Sequence, residues 1–221
     1  MLAESHRAAL AGQFAFYKRF GDAERRRFEE RVAGFVATKR FISDGAPVDE
    51  RTKLFIAALA CRLSMNLPEI ELGRLRTINV VDELDESVLG QMAPGMLQTV
   101  TFTRAALADA FRDDDDGLNV VYHEIAHVLD AADGVCDGIP VLVDPRANAT
   151  WREVIASTLT RLRAACELKI PTAIRAYGAR KESDLFATAT EAFFERPEKL
   201  RNAYPELYAL LAAFYRQHPG E

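Results

Sequence analysis

Two histidines four residues apart constrain this chain more than any other feature. They stand in His123-Glu124-Ile125-Ala126-His127. On a helix such a pair lies about 40° apart around the axis and roughly 6 Å along it, so both rings can reach one ion. The glutamate between them is placed to hold a water at that ion and take its proton, the division of labour in zinc-dependent hydrolysis. The chain has four histidines, and two of them fall in this pattern. With these frequencies chance would produce the pattern in roughly one such chain in two hundred. Its surroundings agree with a metal. Val120, Val121, Ile125, Ala126 and Leu129 make the segment apolar, and polar rings in such a helix need a partner to offset their desolvation.

The rest of the chain narrows the class. Its 221 residues suffice for a substantial core, and 49% hydrophobic with 28% charged residues is the balance of a globular protein. We expect one domain over 1–221, with a helical N-terminal layer, 1–66, packed on a catalytic part, 67–221. A formal net charge of −5 with scattered basic residues leaves no footprint for nucleic acid. The densest basic run, Arg25-Arg26-Arg27, is followed by Glu29 and Glu30, as on a solvated helix face. No stretch approaches the ~20 apolar residues that span a bilayer. Residues 1–20 carry charges throughout and read as a helix, not a signal peptide. Cys61, Cys136 and Cys166 are odd in number and widely spaced, which points to a reducing compartment, the cytoplasm.

Periodicity predicts helices over 8–20 and 23–38, separated near Gly21-Asp22. Asp44-Gly45-Ala46-Pro47 is a turn, and Asp49 precedes a strong helix over 53–65 that ends at Asn66 and Pro68. Residues 77–81 and 98–103 read as strands. The second alternates polar and apolar side chains, the pattern of a half-buried strand, and lies where an edge strand could pair with an extended peptide. The acidic run 113–116, closed by Gly117, does not fit a calcium loop: Arg112 falls at the first ligand position and His123 at the last. It reads as a solvated turn whose acids favour the following helix N-terminus. Further helices are expected over 151–168, 184–195 and 205–218, with an irregular interval at 177–183. The total is an α+β fold, mostly helical with a small sheet beside the histidine helix.

A catalytic zinc usually has three protein ligands and one open position. His6 and His218 have no motif around them, so a carboxylate is the expected third ligand. Asp130 is too close on the same helix for an easy bond to the ion but well placed to contact the His127 ring. Asp133 sits ten residues after His123, but Asp130 stands where a sharp turn would need glycine. Glu195 is near a helix end, before Arg196-Pro197. Glu191 lies within an apolar helix, Ala189-Thr190-Glu191-Ala192-Phe193-Phe194, where zinc would offset the cost of burying its charge.

Three groups of residues carry a family resemblance. The motif block His123 to Asp130 is preceded by Asp116-Gly117-Leu118-Asn119-Val120-Val121 and followed by Asp133-Gly134 and Gly138-Ile139-Pro140. Thr190-Glu191-Ala192-Phe193-Phe194-Glu195-Arg196-Pro197 and Tyr204-Pro205-Glu206-Leu207-Tyr208 form the second, and Lys39-Arg40-Phe41 with Ala57-Ala58-Leu59-Ala60-Cys61 the third. Over most of 39–217 the chain resembles the Mlc titration factor A family of zinc peptidases. The resemblance implies a zincin-like domain of the gluzincin type, related to the catalytic domain of anthrax lethal factor. It implies one zinc per chain on His123, His127 and Glu191, with Glu124 as general base. A donor to the tetrahedral oxyanion should complete the site. Tyr177, in a loop before the third ligand, is the candidate, with Tyr122, Tyr204 and Tyr208 as rivals. The implied function is peptide-bond hydrolysis on a peptide or protein substrate. A second implied role is binding and sequestering a transcriptional repressor of sugar-uptake genes. Two stretches depart from the family pattern: Gly90-Gln91-Met92-Ala93 stands for Gly-Glu-Ala-Trp, and Lys181-Glu182-Ser183-Asp184-Leu185-Phe186 for Asn-Pro-Ala-Glu-Phe-Phe. Both bear on substrate preference.

Overall fold

The computed structural model describes residues 2–67, 72, 74–83, 99–113, 115–142 and 144–220. Gly90-Gln91-Met92-Ala93, and Gln98 at the start of the expected second strand, lie outside the described residues. Ten α-helices and three strands are defined among those residues. In chain order they are α1 (Glu4–Gln13), α2 (Ala15–Arg19), α3 (Asp22–Thr38), β1 (Arg40–Ser43), α4 (Glu50–Ser64), β2 (Thr77–Val81), β3 (Thr99–Thr103), α5 (Arg104–Arg112), α6 (Val120–Asp130), α7 (Asn148–Glu167), α8 (Glu182–Glu195), α9 (Pro197–Ala203) and α10 (Pro205–Tyr215). The architecture is α+β and mostly helical.

The three strands form one parallel sheet in the order β1-β2-β3, with Phe41 beside Ile78 and Ile78 beside Val100. Parallel neighbours need long connections, and α4 supplies the helix between β1 and β2. β3 has the expected alternation: Val100 and Phe102 are buried, while Thr99, Thr101 and Thr103 are not. Three elements escaped the sequence reading, α9 among them. β1 is four residues long with no buried position, so it carries too little hydrophobic pattern to stand out. α5 begins directly after β3, where the Thr103 hydroxyl accepts the Ala106 N–H at 3.1 Å and turns strand into helix without a loop.

Boundaries moved for local reasons. The expected 8–20 helix starts at Glu4 and breaks at Phe14, which is extended and buried. α4 starts at Glu50 because Asp49 caps it, accepting from the Thr52 N–H at 2.9 Å. The expected 205–218 helix stops at Tyr215, since Arg216 adopts the left-handed conformation. α9 fills the segment before it with proline at its first turn.

Two helices position the site. α6 packs on α4, α5 and β3 and, most extensively, on α8. Nearly all of α8 is buried, from Ser183 to Glu195. Such a helix ordinarily reads as uniformly apolar, yet α8 carries Asp184, Glu191 and Glu195. Residues seven and eleven apart fall on one helical face, so these carboxylates form a stripe, and that stripe meets α6. No helix among the described residues is long and apolar enough to cross a membrane.

Candidate functional site

Asn119 begins the site. Its side-chain oxygen accepts the Val121 and Tyr122 N–H groups and caps α6, so the cap is an amide and not one of the preceding acids. The acid run does form a turn, with Asp116 accepting from the Leu118 N–H at 2.7 Å and Gly117 at φ 74°. One turn into α6 comes His123, and a turn later His127, their ring centroids 4.9 Å apart.

Three contacts run along α6 and α8 in opposite order, so the two helices lie antiparallel. The Asn119 side-chain amide donates to Glu195 Oε1 at 2.9 Å. His123 Nδ1 lies 2.7 Å from Glu191 Oε1. His127 Nε2 faces Asp184 Oδ1 at 3.9 Å. Each step of four residues along α6 is matched on α8 by four residues, from Glu195 to Glu191, and then by seven, from Glu191 to Asp184.

Glu191 is fully buried, and its two oxygens have protein partners. Oε1 takes His123 Nδ1 and, at 2.6 Å, the Arg175 guanidinium; Oε2 accepts the Asn119 N–H at 2.8 Å. The carboxylate therefore stands behind the His123 ring, holding its Nδ1 edge. Asp184 is different. It is 3% exposed, its Oδ2 lacks a hydrogen-bond partner, and Arg180, Lys181 and His127 each stop at 3.9 Å. Burial pushes its carboxyl up, against the pull of Lys181, Arg180 and His123. Oδ1 thus faces a histidine nitrogen while the buried Oδ2 has no hydrogen-bond partner, a pairing able to act as a metal donor set.

His127 is held from its other edge. Its Nδ1 lies 3.8 Å from Cys136 Sγ, which donates to Asp130 Oδ2 at 3.2 Å, and the Gly138 N–H reaches the same oxygen at 2.9 Å. Asp130 is fully buried, as its place one turn after His127 suggests. Burial lifts its carboxyl to about 6 and the Cys136 thiol to about 12. His127 is depressed to about 3 by burial, with His123 and Lys181 adding to it. It is therefore neutral at physiological pH, the form in which imidazole binds metals.

Glu124 is half-buried between the histidines. Burial pushes its carboxyl up, opposed by His123 and reinforced by Glu191 and Asp184. A carboxylate raised in this way accepts a proton more readily than one in water. Tyr177 lies in a 3-10 turn, Ala176–Ala179, before α8. Its ring is 5.5 Å from that of His123, 42% exposed, with the Arg180 guanidinium 4.7 Å from its centroid.

The remaining candidates sit elsewhere. Asp133 is exposed and accepts from the Val135 N–H. Glu195 accepts the Gly117 N–H and the Asn119 amide at the N-terminal end of α6. Tyr122 packs on Phe194, Tyr208 on Phe193, and Tyr204 under Arg161. The sequence reading took Asp184 as a helix start and as part of the run Lys181 to Phe186 that departs from the family pattern, not as a ligand candidate. The signal was present: it stands seven residues before Glu191, on the same helical face.

Comparison with known proteins places this chain in a family. Residues 1–216 match the family described as glucose-regulated metallo-peptidase M90. The uncharacterized protein slr2042 of Synechocystis is 31% identical over 96% of this chain and 83% of its own. Mlc titration factor A of Edwardsiella ictaluri is 35% identical over 48% of this chain, and that of Pectobacterium atrosepticum 33% over the same share. In both the match spans 41% of the relative's length. The chain belongs to the glucose-regulated metallo-peptidase M90 family.

Proposed function

We propose that this chain is a zinc-dependent peptidase of zincin-like fold whose metal is held by His123, His127 and Asp184. The observation that carries this reading is the pairing of His127 Nε2 with Oδ1 of buried Asp184, whose Oδ2 has no hydrogen-bond partner, across α6 and α8. Two donors on one zinc stand about 3.3 Å apart, close to the 3.9 Å between these atoms. Glu191, expected from the sequence to be the third ligand, is reassigned. Its oxygens are taken by His123, Arg175 and Asn119, so it orients His123 and leaves Nε2 of that ring to the metal.

A zinc ion in this site would polarise a peptide carbonyl and make an attacking water more acidic. Glu124 accepts that water's proton and delivers it to the leaving amine. Tyr177, half exposed above His123, donates its phenol hydrogen to the developing oxyanion. Arg180, stacked on Tyr177, restrains that ring.

The test is Glu124→Gln, assayed for zinc content and for hydrolysis of a peptide library. Zinc retained with turnover lowered about 10²–10⁴-fold is expected. Normal cleavage by this variant would remove Glu124 from the mechanism.

A second role, binding a transcriptional repressor, is favoured by the name of the Mlc titration factor A relatives. Catalysis and partner binding separate in the same variant: Glu124→Gln should still bind such a repressor if binding is an independent function.

A further inference from the structure

A buried cation that forms no ion pair among the described residues stands behind the histidine helix. Arg62 of α4 is 7% exposed. Its guanidinium carbon lies 4.3 Å from the Phe16 ring centroid, 5.6 Å from Phe194 and 5.9 Å from Phe20. Tyr122 is its hydrogen-bonding neighbour. Among the described residues no carboxylate pairs with it, whereas Arg7, Lys53, Arg104 and Arg175 all find one. A guanidinium removed from bulk water costs free energy that neutral rings offset only in part. Arg19 adds like charge nearby, and Glu24 adds opposite charge without forming an ion pair.

Arg62 lines a cavity of about 410 Å³, within the range of small-molecule sites. Phe16, Tyr122 and Phe194 give it aromatic walls, and Arg19, Arg196 and Lys199 join Arg62 on its lining. The acids there are Asp115, Glu195 and Glu198. Glu195 is already engaged by the Asn119 amide and the Gly117 N–H, and burial lifts it to about 7. None of His123, Glu124, His127 and Asp184 lines this cavity. A hydrogen-bonded chain nevertheless joins the two places, from Glu195 through Asn119 and Glu191 to His123.

We propose that this cavity binds a small aromatic oxyanion, its ring among Phe16, Tyr122 and Phe194 and its carboxylate or phosphate on Arg62 and Arg19. A guanidinium fork matches either head group in two parallel hydrogen bonds. The flat walls select a flat body. The proposal does not depend on the chain being a peptidase.

The experiment is fluorine NMR titration of the purified protein with 4-fluorobenzoate, 4-fluorophenyl phosphate and neutral 4-fluorobenzyl alcohol. Saturable binding of an anion, at least tenfold tighter than the alcohol, is expected, and the tighter anion names the head group. Arg19→Met, at an exposed position, should weaken it about tenfold, and Arg62→Met should abolish it. If Arg62→Met fails to fold, Arg19→Met and the neutral analogue decide. Equal binding of the alcohol, unchanged affinity in Arg19→Met, or loss of binding on chelation of the metal would each overturn the proposal, the last by moving the anion to the histidines.

Discussion

Glu191 grips His123 by its Nδ1, 2.7 Å from carboxylate oxygen to ring nitrogen, and so stands on the far side of the ring from any ion bound at Nε2. Seven residues earlier on the same helix, Asp184 faces His127 Nε2. One helix thus supplies both an orienting carboxylate and a candidate ligand, two turns apart.

These two carboxylates should differ in their effect on metal. Asp184→Asn is expected to empty the site, whereas Glu191→Gln should lower zinc affinity about 10–100-fold and still allow reconstitution. Elemental analysis and chelator competition on both variants settle it. Zinc loss confined to Glu191→Gln would return the third ligand to Glu191.

Tyr177 is half exposed on a turn, so its hydroxyl can be removed without opening the core. Tyr177→Phe should lower kcat about 10²–10³-fold, as loss of one oxyanion donor does, with zinc content and KM nearly unchanged. An unaltered kcat would leave Tyr177 with a packing role.

Gly178, next to it, anchors that turn. A Cβ there would lie 2.3 Å from Thr188 Oγ1 of α8 and 3.3 Å from Ile174. Gly178→Ala should cost about 1–3 kcal/mol by overpacking, read as a lower urea midpoint. Because the turn must move away from α8, activity should fall along with stability.

The N-terminal helices carry a pH-dependent contact remote from the site. Buried Glu29 accepts from the Tyr17 hydroxyl at 2.6 Å and from Arg7 at 2.9 Å. Burial alone would raise its carboxyl, but the bonds from Tyr17 and Arg7 outweigh burial and hold it below its ordinary 4.5. A carboxyl depressed on folding stabilises fully above its unfolded value and loses that contribution as pH falls through the folded one. Denaturation of wild type and Glu29→Gln from pH 7 to pH 3 should therefore show a stability gap that is constant down to about pH 5 and closes below 4.5. A gap unchanged at pH 3 would assign the loss to packing.

Much of this was written in local sequence. The His123–His127 spacing needs only the 3.6-residue turn to bring two rings together. β2 and β3 were legible because half-buried strands alternate, and α4 because Asp49 and its apolar run mark a start and a face. β1 was not, since a short strand with no buried side chain leaves no periodic trace; its pairing with β2 defines it. Nor could local pattern rank Asp184 against Glu191. Both are acids on one face of one buried helix, and which of them faces a histidine Nε2 depends on how α8 slides against α6. That register is fixed by the packing of the two helices and by the cap contact between Asn119 and Glu195. Spacing along a helix is a property of the sequence; the registry between two helices exists only once both are folded.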